Sequence, residues 1–149
     1  MEKFSGLIVY QVSDKEFCAE LNDISAIIKV SEILPRASLG ESLQPFIIFD
    51  NEKIPIVDLH RFFGYKFEEP SEDTRILLVE IGERKIGVFV EKVIEIISID
   101  RVIGPSLEFS PNDQTKFLLG TFKYEERIIF LPDFKEIIAD FEQTHQTLS

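Results

Sequence analysis

Two histidines, His60 and His145, and one cysteine, Cys18, are the side chains of this 149-residue chain best suited to acid–base or nucleophilic work near neutral pH. His60 follows closely on Asp58, a carboxylate that could orient its ring, so the pair could act as a general base. A general base needs a proton to take, and no Ser or Cys nucleophile is placed beside it by a motif. His60 therefore reads as a surface histidine on a short helix, with an enzyme built on His60 and Asp58 as the minor alternative. His145 lies in the polar tail Gln143–Ser149 and reads as solvated and frayed. Cys18 sits between Phe17 and Ala19, which predicts a buried, inert thiol. One cysteine excludes an intrachain disulfide and suits a reducing compartment.

Other chemistries lack their groups. Zinc needs Cys and His at ligand spacing, and calcium needs alternating oxygen donors around a central Gly. Neither pattern occurs, and the seven glycines never cluster into a phosphate-binding loop. Glu68-Glu69 and Glu72-Asp73 read as a solvated connector. Absent Trp and only three Tyr argue against an aromatic platform for sugars or single strands. A formal net charge of −11 argues against nucleic acid and anionic membrane surfaces, and favours basic partners. The expectation is no catalytic residue, no metal and no cofactor. The apolar runs are broken by charge, as in Val93-Ile94-Glu95-Ile96-Ile97, and fall short of the roughly 18 residues that cross a bilayer. Met1–Gly6 lacks a basic stretch followed by an apolar one, so the expected location is the cytoplasm, without membrane insertion.

Short strands dominate the pattern. Leu7–Val12 and Phe17–Leu21 flank a polar turn at Ser13-Asp14-Lys15, and Ile27–Ile33 is rich in β-branched residues. Phe46–Phe49 and Lys53–Val57 flank Asp50-Asn51-Glu52. Arg75–Ile81 and Lys85–Val90 flank Gly82-Glu83-Arg84, and Val93–Ile99 follows. Phe117–Lys123 and Arg127–Leu131 flank Tyr124-Glu125-Glu126. Two helices complete the set. Asp58 can cap Leu59–Phe63, which Gly64 stops. Asp133 can cap a helix to about Phe141 with Glu136 as capping-box partner, placing Phe134, Ile137, Ile138 and Phe141 on one face.

The two halves of the chain match. With Leu7 laid on Ile76, the segment Leu7–Ile28 covers Ile76–Ile97 without a gap, pairing Ile24 with Val93 and Ile27 with Ile96. Lys53–Phe63 likewise covers Ile128–Ile138, pairing Asp58 with Asp133. Hairpin, third strand, second hairpin and capped helix occur twice in the same order. The expected fold is all-β, with two similar five-stranded barrels and short helices including a C-terminal one. The first barrel is placed at about residues 6–64, the second at 74–132, the helix at 133–141 and a tail at 142–149.

Lys53-Ile54-Pro55-Ile56-Val57-Asp58-Leu59-His60-Arg61-Phe62-Phe63-Gly64 resembles the Pro-Val-x-Asp-Leu-Arg segment of the CheW-like family. Lys85-Ile86-Gly87-Val88-Phe89-Val90-Glu91-Lys92-Val93 resembles its Gly-x-x-Val-Asp-x-Val segment, and Leu119-Gly120 before Arg127–Leu131 and an amphipathic helix is similar to its ending. The resemblance runs from Gly6 to Phe141. It implies two SH3- or OB-like barrels, partly intertwined, in one adaptor domain. The implied function is non-catalytic coupling of methyl-accepting chemoreceptors to the regulatory domain of a CheA-like histidine kinase, within a two-component chemotaxis system. By matched position it assigns partner contacts to Ile24, Ile27, Val93 and Ile96, with Pro45, Asp50, Asp58 and Glu91 as the motif positions beside them. The chain departs from the family where Asp50 replaces Arg, Pro45 falls near an expected Gly, and Glu91 replaces Asp. An acidic partner at Asp50 would be repelled, which leaves as alternative a divergent module with a non-receptor partner, in an auxiliary, pilus or gliding pathway.

Overall fold

The computed structural model describes residues 6–29, 46–66, 69–106 and 115–146. In chain order the elements are β1 (Gly6–Val12), β2 (Lys15–Glu20), β3 (Ile24–Lys29), β4 (Phe46–Phe49), β5 (Glu52–Asp58) and α1 (Leu59–Phe63). Then come β6 (Arg75–Ile81), β7 (Arg84–Val90), β8 (Lys92–Ser98), β9 (Ile103–Ser106), β10 (Leu118–Tyr124), β11 (Arg127–Pro132) and α2 (Phe134–Gln146). Hairpin turns fall where the polar interruptions stand. Asp50 and Asn51 both take positive φ, 51° and 63°, between the paired ends Phe49 and Glu52. That is the backbone of a two-residue turn matched to strand twist, and Asp and Asn tolerate it better than other L residues.

The strands form two sheets, in the orders β8-β1-β2-β11-β10-β9 and β3-β6-β7-β5-β4. Each sheet takes strands from both halves of the chain. This corrects the expected division into barrels at 6–64 and 74–132. The third strand of each half leaves its own hairpin and pairs with the first strand of the other half. Ile24 lies opposite Val79 and Ile27 opposite Leu77 on β6, while Val93 lies opposite Tyr10 and Ile96 opposite Ile8 on β1. Those are the same register positions in the internal match, and both pairings carry a bulge beside them. The parallel pairings of β5 with β7 and of β11 with β2 close the exchange.

Alternation explains why both inner hairpins read as unbroken apolar runs. Along β1, Leu7 and Val9 enter one cluster with Cys18, Ile97, Phe122 and Ile129, while Ile8, Tyr10 and Val12 enter another. Along β6, Ile76 and Leu78 join Ile28, Ile47, Ile54, Ile56 and Phe89, while Leu77 and Val79 join the cluster that holds Ile8 and Tyr10. Successive side chains point to opposite faces, so each hairpin is buried on both. All five strands of the smaller sheet feed one cluster built from that sheet alone, which requires the sheet to curl around it. The shared cluster joins the two sheets and takes Leu59 and Phe63 from α1 and Phe134, Ile137 and Ile138 from α2. Full burial of each such side chain is worth about 1.5–3 kcal/mol, so this seam is a large part of what holds the sheets together.

Both expected caps form. The Asp58 side chain accepts from His60 N at 3.0 Å, and Gly64 ends α1 at φ 76°. The Asp133 carboxylate accepts from Glu136 N at 3.2 Å. Three expectations need correction besides the barrel boundaries. The larger sheet carries a sixth strand, β9, which no strand pattern announces because Gly104-Pro105 interrupts it, and β10 holds it as an edge. Strand β3 begins at Ile24, three positions before the expected Ile27, and its expected end at Ile33 lies outside the described residues. The last helix continues past Phe141 to Gln146. Once its apolar face is docked, polar residues extend the helix, and Glu142 meets Arg84 at 3.1 Å.

Candidate functional site: the docking strands and a buried histidine

The strand exchange brings the four apolar positions singled out on β3 and β8 into two equivalent settings. Ile24 and Val93 are half-buried and pack against the shared core. Ile27 and Ile96 point outward and remain 47% and 52% exposed. Two β-branched side chains thus leave about half their surface in water at equivalent places of the two exchanged strands. Exposed apolar groups so placed suit contact with another protein. Further exposed apolar residues are Ile48 on β4 and Ile103, Leu119 and Ile128 on β9, β10 and β11 of the larger sheet. Ile103 and Ile128 flank Lys123 in one row across β9, β10 and β11.

Asp58 and Glu91 do something else. Their carboxylates bracket the His60 ring, with Nδ1 2.6 Å from Asp58 Oδ1 and Nε2 2.7 Å from Glu91 Oε2. His60 is completely buried, which corrects the expectation of a surface histidine. Its backbone is fixed by the Asp58 cap, and its ring turns into the seam between the sheets, near Phe89. Ionised carboxylates only accept, so this geometry suits a ring protonated on both nitrogens, each donating to one carboxylate. Burial pushes the His60 pKa down, the hydrogen bonds and charges of Asp58 and Glu91 push it up, and the net shift is upward. Glu91 also accepts from Ser13 N and from Gln11 Nε2 at 3.4 Å, and Glu91 N donates to Gln11 O at 3.0 Å. Both carboxylates are half-buried and are engaged by groups of the fold itself.

Asp50 is exposed at the tip of the β4–β5 hairpin. Its φ of 51° is a backbone conformation that Asp adopts more readily than most residues with a side chain. Pro45 lies outside the described residues. Cys18 is buried, and burial first, with Glu20 second, pushes its thiol up to about 12. Among the described residues, no group of three or more His, Cys, Asp or Glu is placed to hold a metal, and no helix is long and apolar enough to cross a membrane.

Sequence reasoning passed over one cluster. Arg127 on β11 sends Nε and Nη2 to Glu16 Oε1 on β2 at 3.1 and 2.6 Å, and Nη1 to Glu95 Oε2 on β8 at 2.6 Å. It fastens three strands of the larger sheet, and Glu16 hydrogen-bonding first, then Glu95, raises the Arg127 pKa even against partial burial. Its partners are remote in the chain, so no local signal announces them. A hint for His60 did exist: Asp58-x-His60 opens a capped turn directly after an apolar strand, where a side chain can turn inward.

Two interlocked sheets with exposed apolar positions on exchanged strands are the architecture of a docking module. The sequence profile of the CheW-like domain matches residues 6–142. A chemotaxis protein CheW of Rhizobium meliloti is 25% identical over 138 residues, covering 92% of this chain and 89% of that protein. A chemotaxis protein CheW of Klebsiella aerogenes is 21% identical over 136 residues, covering 91% and 82%. The crystal structure of scaffolding protein TtCheW from Thermoanaerobacter tengcongensis superposes with a TM-score of 0.70 at 23% identity, covering 89% of this chain and 86% of that one. The chain belongs to the CheW-like domain family and has its two-barrel fold.

Proposed function

We propose that this protein is a non-catalytic adaptor of chemosensory signalling, coupling chemoreceptors to the regulatory domain of a CheA-type histidine kinase in the cytoplasm. The observation that carries the reading is the outward exposure of Ile27 and Ile96 at equivalent positions of the two exchanged strands. Apolar anchors in a polar rim are what a protein partner desolvates, and the net charge of −11 suits basic rims on that partner. Membership of the CheW-like family and likeness to a protein named chemotaxis protein CheW support this reading. Calorimetric titration with the kinase regulatory domain tests it. Binding is expected, and Ile27→Ser or Ile96→Ser is expected to weaken it about tenfold or more while costing the fold little, because about half of each side chain is already exposed. No heat and no shift at high micromolar concentration would remove the reading.

A second reading, a divergent module whose partner is not a receptor, is favoured by the exposed Asp50 carboxylate at the hairpin tip. Asp50→Asn keeps the turn and removes the charge. Gained receptor binding in that variant supports a lost receptor contact, and unchanged binding supports a different partner for this tip.

A further inference from the structure

The His60 bracket crosses the seam between the two sheets. Asp58 ends β5 in the smaller sheet and caps α1. Glu91 leads from β7 of that sheet into β8 of the larger one, and its carboxylate also holds the Ser13 amide at the β1–β2 turn. The His60 ring thus sits midway in a continuous chain of contacts from the β5–α1 corner of one barrel to a hairpin turn of the other.

The fold does not require this chain. The internal match supplies a second copy of the same corner, where Asp133 caps α2 as Asp58 caps α1. There Lys135 stands in the place of His60 and Asn22 in the place of Glu91, and both are exposed. The turn corresponding to Ser13 is at Gly82, which lines an open cleft with Lys135 and Ile138. One corner is tied down through a titratable ring, and its twin is built without one.

We propose that His60 is a protonation-dependent latch between the two barrels. With both ring nitrogens protonated, it draws Asp58 and Glu91 together across the seam. Loss of one ring proton leaves a lone pair facing a carboxylate oxygen at hydrogen-bond distance, and that contact turns repulsive. Glu91 and the β1–β2 turn it anchors then loosen. Around the ring, Asp58 faces it from the β5–α1 corner and Glu91 from the start of β8; β7 contributes the Phe89 ring, and the β1–β2 turn contributes the neutral Gln11 and Ser13. Of the charged residues next along the chain, Asp14, Lys15, Arg61 and Lys92 are exposed, while Lys85 and Glu95, half-buried further along β7 and β8, are bound to Glu52 and Arg127. The upward shift of the His60 pKa fits a latch closed at neutral pH. A raised histidine pKa contributes stability fully present below the unfolded value near 6.5, lost as pH rises through the folded value. The latch therefore opens on the alkaline side.

Nitrogen-15 ring spectra of the intact protein, recorded between about pH 5.5 and 9.5, test this directly. Both His60 nitrogens are expected to carry protons at neutral pH and one to lose its proton within that range. Over the same step the Ser13 amide protection factor, corrected for intrinsic exchange, is expected to fall about tenfold. His60→Gln is expected to show the lower protection at every pH. A ring neutral at pH 7, a ring that never titrates, or Ser13 protection indifferent to the ring's titration would each overturn the latch. These wild-type measurements decide even if the variant fails to fold.

Discussion

Gly87 is the glycine of the Gly-x-x-Val segment, and the structure shows what a side chain would meet there. It lies on β7 between Leu78 of β6 and Ile56 of β5, and faces the core of the smaller sheet. A Cβ built at Gly87 would stand 2.8 Å from Ile76 Cγ2 and 3.7 Å from Ile56 Cγ1. Ordinary contact begins at 3.4 Å, so strands or side chains must part by roughly 0.6 Å. Ile76 is completely buried, and the methyl in question is on its β-branched carbon, which moves only with the backbone or an unfavourable rotamer. Two effects oppose each other in Gly87→Ala. Replacing a glycine lowers unfolded-chain entropy and stabilises by about 0.4–1 kcal/mol. Overpacking a closed core costs about 1–3 kcal/mol. The clash wins, with a net loss of about 0.5–2 kcal/mol and a melting midpoint lower by about 2–8 °C. Urea denaturation with an unchanged slope gives the free energy. A double-mutant cycle locates it: Ile76→Ala alone opens a cavity at about 2–5 kcal/mol, but in the Gly87→Ala background it also removes the clash and should cost at least about 1 kcal/mol less. A Gly87→Ala protein as stable as the parent, or additive effects in the cycle, would refute the close-approach argument.

Three further outcomes are expected. Arg127→Lys keeps the charge but loses the fork that spans Glu16 and Glu95, and should lower stability by about 1–2 kcal/mol in urea, whereas equal stability would show that the positive charge alone suffices. Asp50→Arg places an arginine at φ 51° and should cost about 1 kcal/mol, while Asn51→Gly, at φ 63°, should be neutral or stabilising in thermal melts. Cys18, with its thiol pushed up to about 12, should react with an aromatic disulfide reagent at pH 8 only as fast as the chain opens; complete labelling within minutes on the folded protein would contradict its burial.

Strand positions, hairpin turns and both helix caps were legible because they depend on local chemistry. Alternating or continuous apolar runs, Asp before a helix and Gly after it act within a few residues of themselves. The duplicated order of elements was legible too, and so was the CheW-like resemblance, since both are properties of order along the chain. Which strand pairs with which was not. Ile27 and Ile96 look alike on paper whether they stay with their own hairpins or cross to β6 and β1, because register depends on partners remote in sequence. Burial followed the same rule. His60 reads as a surface residue in the sequence because nothing near it announces Glu91, whose carboxylate reaches it through the parallel pairing of β5 with β7, which sets Asp58 opposite Phe89. The bracket around Arg127 went unseen for the same reason. Taken alone, the amino-acid sequence determined most of the elements, their turns and caps and the family they add up to, but not β9, the start of β3 or the end of α2. Tertiary structure decided which apolar residues remain outside for a partner and which charges are drawn inside, because both depend on contacts between segments that no local preference specifies.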